Sequence, residues 1–109
     1  MIARLDGKIG NLRGNSVILM VGGVGYQVFV TTYTIGRLAG LEEASLHIHT
    51  HVREDAFLLY GFLEEAELTM FELLISVSGI GPKVALSILS IADTKTLGTA
   101  IAHKDPSIL

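Results

Sequence analysis

Closely spaced strand-like segments fill the first part of the chain and restrict the folds that it can adopt. They are short and rich in β-branched and aromatic residues, which favour β-structure, and they occupy residues 2–9, 16–21, 26–30, 46–52 and 57–62. Glycine and asparagine separate the first three, at residues 10–11, 14–15 and 22–25, where turns are favoured. Five short strands are too few for a β-sandwich but enough to close a small barrel. A short helical turn is predicted near residues 34–38.

The sequence period changes after Gly61. Apolar residues then recur at the spacing of an α-helix, and glutamates enrich its first turns, where the helix dipole favours negative charge. We predict helices over residues 64–77, 84–91 and 95–102. The predicted fold is therefore a β-barrel, residues 1–62, followed by an all-α domain, residues 63–109. Asp105-Pro106 is typical of one more helix start, so we expect a truncated chain.

Composition limits what the chain does with its apolar residues. Half of the 109 residues are hydrophobic, but no run approaches the ~18 consecutive apolar residues of a membrane-spanning helix. The apolar excess must be buried in protein, part of it between subunits. There is no cysteine, which is compatible with a reducing cytoplasm. The net charge is −3, whereas proteins that coat DNA are usually basic, so a DNA-binding surface would have to gather its cations on one face.

A glycine-rich segment, Gly79-Ile80-Gly81-Pro82-Lys83, separates the first two predicted helices. Gly79 is able to take a positive φ, and Gly81 lets a ligand approach the backbone closely. Pro82 suits the first position of a helix. The free N–H groups at that helix start, together with Lys83, would attract an anion, and we predict a nucleic-acid phosphate. The alternative is a plain helix connection in which Ile80 fills the gap, because Gly-x-Gly alone is a weak signal.

Four motifs follow one another along the chain: VGGVGY at 21–26, VREDA at 52–56, YGF at 60–62 and GIGPK at 79–83. Together they resemble the RuvA family, the Holliday-junction-binding subunits of the bacterial branch-migration complex. The resemblance implies an oligonucleotide-binding (OB) barrel followed by a helix-hairpin-helix domain. Its implied DNA-binding residues are Gly79, Ile80, Gly81, Pro82, Lys83 and Val84.

The resemblance also implies how such a protein works. It implies a cytoplasmic, non-catalytic homotetramer without cofactors that holds four-way junction DNA open. A RuvB-like hexameric ATPase would drive branch migration, and a RuvC-like resolvase would cut the junction. Family members carry a second hairpin and a third domain that contacts the motor, and we expect both beyond Leu109.

Glu54 and Asp55 lie between the last two predicted strands. The resemblance implies an acidic pin that projects toward the junction centre, where carboxylates repel phosphates and oppose the binding of plain duplex. Arg53 adjoins the pair, where it would offset their charge or contact a phosphate. A solvated acidic turn is the alternative, since Asp favours turns.

Histidines 47, 49 and 51 alternate along the fourth predicted strand, so His47, His49 and His51 share one face. Such a face is either an outward polar surface or a zinc site. We favour the polar surface, because the carboxylates that orient metal-bound histidines cannot be identified from the sequence. We predict no metal site.

Other motifs favour less specific interpretations. Glycines 22–25 lack the Lys-Ser/Thr of a phosphate loop, so we predict a turn between strands. Most of the strand aromatics are predicted to be core residues rather than a stacking platform for single strands: Tyr26, Phe29, Phe57, Tyr60 and Phe62. Three alternatives stay open, namely a small DNA repair enzyme, a general helix-hairpin-helix DNA-binding fragment and a structural oligomerisation fragment.

Overall fold

A computed structural model describes residues 1–91 of the chain. The third predicted helix, over residues 95–102, and the Asp105-Pro106 helix start lie outside the described residues. The elements in chain order are β1 (Arg4–Arg13), β2 (Ser16–Val21), β3 (Val24–Phe29), α1 (Thr32–Leu38), β4 (Glu43–Val52), β5 (Phe57–Phe62), α2 (Glu65–Ile75) and α3 (Pro82–Ile91).

The five strands close into a barrel in the order β1-β2-β3-β5-β4. All neighbouring strands are antiparallel except β3 and β5, which run parallel over a short stretch. Closure depends on β1, which pairs with β4 through residues Arg4 to Lys8 and with β2 through residues Lys8 to Arg13. The prediction of a five-stranded closed barrel is confirmed.

The predicted turn at Gly10-Asn11 is wrong, because these residues lie inside β1. The register between β1 and β2 shifts between Ile9 and Leu12. An irregularity of this kind bends a strand and increases its twist, which a strand shared between two partners needs in order to round a small barrel. The sequence signal for a chain reversal thus marks a bend instead.

The barrel is filled by aliphatic side chains from every strand and from α1. Val17, Leu19, Val28 and Leu46 are completely buried, and Leu38 of α1 packs among them. Gly61 faces this core at a point where there is no room for a side chain. A Cβ there would lie 2.5 Å from Val28 Cγ1 and 3.2 Å from Leu46 Cδ1.

The helix α1 confirms the predicted helical turn between the third and fourth strands, although it begins earlier. Thr31 is its N-cap, and its hydroxyl oxygen accepts a hydrogen bond from the Thr34 N–H at 3.1 Å. The helix α2 begins with a capping box, in which the Glu67 carboxylate accepts from the Glu64 N–H at 3.2 Å. Both helix starts thus satisfy backbone donors that would otherwise lack partners.

A second core joins the barrel to the helices. Phe71 of α2 is fully buried, and its ring lies 5.0 Å from Phe62 and 5.2 Å from Tyr60 between ring centroids. Leu86 and Leu89 of α3 belong to the same cluster. The prediction that most strand aromatics are core residues is confirmed, because Tyr60 and Phe62 are buried and Tyr26 and Phe29 pack partly buried against the two cores. Phe57 is the exception, since it is 74% exposed.

Candidate nucleic-acid interface

The glycine-rich segment forms a tight turn between α2 and α3. The Ile80 N–H donates to the Val77 carbonyl at 3.1 Å, which closes a four-residue turn. Gly79 occupies its third position with φ +88°, the left-handed conformation that a glycine adopts without strain. Ile80 is half-buried and packs against the helical core, so it anchors the turn as the helix-connection interpretation expected.

The start of α3 presents unobstructed backbone to solvent. The Ala85 N–H donates to the Gly81 carbonyl at 3.0 Å, so Gly81 is the N-cap and Pro82 the first helical residue. The next two N–H groups, of Lys83 and Val84, lie within the first turn, where a helix offers no carbonyl partner. A Cβ at Gly81 would meet no atom within 4 Å. The space beside Gly81, next to these two donors, is therefore open to a ligand.

Glu54 and Asp55 form the tip of the turn between β4 and β5. The Arg53 N–H donates to the Ala56 carbonyl at 2.8 Å, which leaves the two acidic residues at the central positions of the turn. All four residues are exposed. Among the residues that the structure describes, neither carboxylate forms a salt bridge. Their position fits both the acidic pin and the solvated turn.

We call the turn of Glu54 and Asp55 the acidic turn, and the glycine-rich turn between α2 and α3 the hairpin. A cleft of about 270 Å³ lies between Arg53, next to the acidic turn, and Pro82 and Lys83, next to the hairpin. Its polar lining comes from three segments that are distant in sequence: Asn15, the pair His51 and Arg53, and Lys83. Its apolar lining comes from β3, β5 and α3: Phe29, Leu58, Tyr60, Pro82 and Leu86. The cleft thus connects the two predicted DNA-contacting elements, and sequence reasoning missed it. In the sequence, the only signal for it is the pair of cations Arg53 and Lys83, which belong to separate motifs.

Tyr60 shows how close Arg53 lies to this cleft. Burial raises the pKa of the Tyr60 phenol above its ordinary value of 10.0, and the positive charge of Arg53 partly opposes that rise. The phenol therefore stays protonated at neutral pH. The Tyr60 ring also packs against Phe29, with 5.8 Å between the ring centroids. The cleft has an aromatic wall next to a cation.

The histidine face of β4 is only partly what the sequence predicted. All three imidazoles are half-buried. His49 contacts α2, because its Nδ1 lies 2.9 Å from Glu72 Oε2 and its ring lies 5.4 Å from that of Phe71. The outward polar surface is therefore wrong for His49, which contributes to the joint between barrel and helices. Among residues 1–91, no group of three or more potential ligands is arranged to hold a metal ion.

Two further predictions concern the glycines between β2 and β3 and the membrane-spanning character of the helices. Gly22 and Gly23, at φ +56° and +84°, form the two-residue turn between β2 and β3, as is typical of a hairpin with positive φ at both central positions. The predicted strand-connecting turn is confirmed. In the part of the chain that the structure describes, no helix has the length and apolar character needed to cross a membrane.

Comparison with known proteins identifies relatives along the whole chain. The family described as RuvA N terminal domain matches residues 1–61. A Holliday junction branch migration complex subunit RuvA from Syntrophotalea carbinolica is 49% identical over 103 residues, which cover 94% of this chain and 52% of the relative. The protein of the same name from Trichlorobacter lovleyi is 50% identical over 105 residues, covering 96% and 52% respectively. The chain spans about half the length of the curated relatives it matches.

Proposed function

The chain belongs to the RuvA N-terminal domain family, and from this premise we propose that it binds four-way (Holliday) junction DNA as a non-catalytic subunit of a branch-migration complex. The observation that carries the proposal is the open hairpin. Gly79 turns the chain, Gly81 leaves the backbone uncovered, and α3 directs free N–H groups outward beside Lys83. This arrangement suits a phosphate of the DNA backbone.

Contacts of this kind fix the position of DNA without reading its sequence. Ile80 holds the turn against the helical core and Pro82 begins α3, while Gly79, Gly81, Lys83 and Val84 face the ligand. The proposal includes the division into a barrel, residues 1–62, and a helix-hairpin-helix DNA-binding domain, residues 63–109.

The acidic turn supplies the complementary repulsion. Glu54 and Asp55 are exposed at the tip of the β4–β5 turn, and carboxylates that approach phosphates raise the free energy of the complex. A continuous duplex would bring phosphates onto this turn, whereas strands that separate at a crossover would pass on either side of it. The turn therefore acts as an acidic pin that favours branched over linear DNA.

The proposed assembly is a homotetramer, in which each subunit meets one arm of an open junction, so that the symmetry of the protein matches that of its ligand. Four copies of the acidic turn then surround the crossover. A RuvB-like hexameric ATPase supplies the motor for branch migration, and a RuvC-like resolvase the cleavage. Both act through the longer protein that the curated relatives represent.

A substitution at the N-cap tests the hairpin. Gly81→Ser keeps a good helix cap and meets no protein atom, so we expect normal thermal stability. It nevertheless places a Cβ and a hydroxyl where the phosphate would bind, and we expect at least tenfold weaker junction binding by fluorescence anisotropy. Gly36→Ser is the matched control, since Gly36 lies on exposed α1 with similarly open space. Equal affinity of wild-type protein for junction and linear duplex would refute the proposed function.

The salt dependence of binding provides a second readout. Lys83→Gln removes one phosphate-neutralising cation, so the slope of log K against log salt should become shallower by about one for every junction sequence. Lys8→Gln, an equal charge change on β1, should leave the slope unchanged. A sequence-dependent effect of Lys83→Gln would contradict backbone binding.

A further inference from the structure

The cleft between the acidic turn and the hairpin has a chemistry that neither element explains alone. Its basic lining residues are Arg53, which directly follows β4, and Lys83 from the first turn of α3. Its apolar and aromatic lining includes Phe29, Tyr60 and Leu86. Among residues 1–91, no acidic side chain lines the cleft. The ligand that fits must therefore be anionic and also carry a flat apolar part.

A bare phosphate satisfies only half of this lining. It would neutralise the two cations but make no contact with the apolar lining, in which Phe29 is half-buried and Tyr60 and Leu86 keep 7% and 6% of their surface exposed. An apolar ligand would leave the cations unpaired. A nucleotide unit meets both requirements, because its base has a π-face for aromatic and apolar side chains and its flanking phosphates pair with Arg and Lys. The volume of about 270 Å³ lies just below the range of pockets for drug-sized ligands, which suits a single nucleotide.

The location of the cleft determines which nucleotide can reach it. Arg53 immediately precedes Glu54 and Asp55, the acidic turn at which the proposed function separates the DNA strands. Lys83 belongs to the hairpin that holds the neighbouring backbone. A nucleotide between these two contacts lies at the crossover, where pairing is interrupted. Bases within the arms remain stacked and cannot enter.

We propose that this cleft takes up one unpaired nucleotide of the junction, with its base against the wall of Phe29, Tyr60 and Leu86 and its two flanking phosphates at Arg53 and Lys83. The inference rests on the proposed function, which supplies the junction. It adds a base-binding site at the crossover to the backbone contacts of the hairpin. The site stacks rather than hydrogen-bonds, so it accepts any base sequence.

Abasic DNA separates this inference from simple backbone binding. Anisotropy titrations compare a junction with intact crossover nucleotides and one with tetrahydrofuran abasic sites there, which keep every phosphate. Without a base site, the abasic junction binds equally well or more tightly, because no base pair has to be opened. With the site, it binds about tenfold more weakly, since stacking on aromatic side chains stabilises a single-stranded complex by about that factor or more per base.

Arg53→Gln assigns the base contact to the cleft. We expect this variant to bind the intact junction more weakly. We also expect it to lose most of the difference in affinity between intact and abasic junctions, because the substitution and the removal of the base affect coupled contacts. Arg4→Gln, an arginine of β1 outside the cleft lining, should keep the full difference. Thermal melting confirms that both variants are folded.

Each outcome has a distinct meaning. Wild-type protein that binds intact and abasic junctions alike, or the abasic one more tightly, overturns the base site while leaving junction binding intact. If Arg53→Gln still binds the abasic junction about tenfold more weakly than the intact one, the base contact lies elsewhere. That result overturns the assignment to this cleft. Failure to prefer the intact junction over linear duplex refutes the proposed function instead.

Discussion

Replacing Phe71 by alanine should remove the principal contact between the barrel and its helices. The side chain is completely buried, and three rings surround it at centroid distances of 5.0 Å for Phe62, 5.2 Å for Tyr60 and 5.4 Å for His49. Two of these partners lie on β5 and one on β4, whereas Phe71 lies on α2. The substitution therefore opens a cavity at the joint rather than within either part.

The expected cost follows from the burial and the ring contacts. Phenylalanine-to-alanine changes in protein cores destabilise by roughly 3–5 kcal/mol, and aromatic pairs contribute about 0.5–1.5 kcal/mol beyond area burial. Full burial and three ring partners place Phe71→Ala well inside that range, at about 4 kcal/mol. The nearby His49–Glu72 contact cannot account for such a loss, because Glu72 is half-exposed and exposed ion pairs contribute about 0–1 kcal/mol.

Urea unfolding followed by circular dichroism measures this loss. With a slope of about 2 kcal/mol per molar urea, the midpoint of Phe71→Ala should fall by about 2 M. Leu73→Ala is the matched control, since Leu73 lies on the same helix but is 42% exposed, and it should cost less than about 1 kcal/mol. Equal midpoints for the two variants would refute the idea that the aromatic cluster holds α2 on the barrel.

Three further predictions concern other features of the molecule. Gly61→Ala should destabilise by about 1–3 kcal/mol because its Cβ would overlap Val28, whereas Gly36→Ala in α1 meets no atom and should stabilise by about 0.5–1 kcal/mol; urea titration distinguishes the signs. Burial raises the pKa of Glu67 above its ordinary 4.5, so the folded state binds this proton more tightly than the unfolded chain. The stability contribution of Glu67 is then greatest below pH 4.5 and declines as pH rises through the folded pKa. Glu67→Gln, which keeps an acceptor for the capping box, should remove that decline in unfolding free energy measured between pH 4 and 7. Glu54→Gln combined with Asp55→Asn should tighten binding to linear duplex more than to a junction in parallel anisotropy titrations, and unchanged discrimination would favour a merely solvated turn.

The sequence predicts the elements of this fold better than their contacts. Strand and helix positions follow from local periodicity, so the five strands, α1 and the positive φ of Gly79 are all confirmed. The error at Gly10-Asn11 arises because a turn and a bulge use the same residues, and only the closure of the barrel decides between them. The exposure of Phe57 is likewise invisible locally, because an aromatic strand residue has the same intrinsic preference on either face.

The candidate site shows the same difference between contiguous motifs, which the sequence predicts, and contacts between distant residues, which it does not. The hairpin and the acidic turn are each contiguous in sequence, so their residues can be named from the chain alone. His49 and Glu72 are 23 residues apart, and Arg53 and Lys83 are separated by β5 and α2. No local pattern links such pairs. Their proximity follows from how α2 packs on β4 and β5, which depends on the aromatic cluster around Phe71.

In the proposed function, this packing also explains how an acidic chain binds DNA selectively. With a net charge of −3, general attraction to phosphates is weak, and affinity has to come from where the cations lie. The second core brings the cation of α3 beside the one that adjoins the acidic turn, so attraction and repulsion act within one small region. In the proposed complex, a straight duplex would pair with Lys83 and Arg53 only by bringing its phosphates onto Glu54 and Asp55. A branched DNA would pair with both cations and keep its phosphates away from the carboxylates, because its strands diverge there. Selectivity for the junction then depends on the fixed spacing between the hairpin and the acidic turn. A substitution that weakens the packing around Phe71 should therefore reduce the preference for junction over duplex before it abolishes binding.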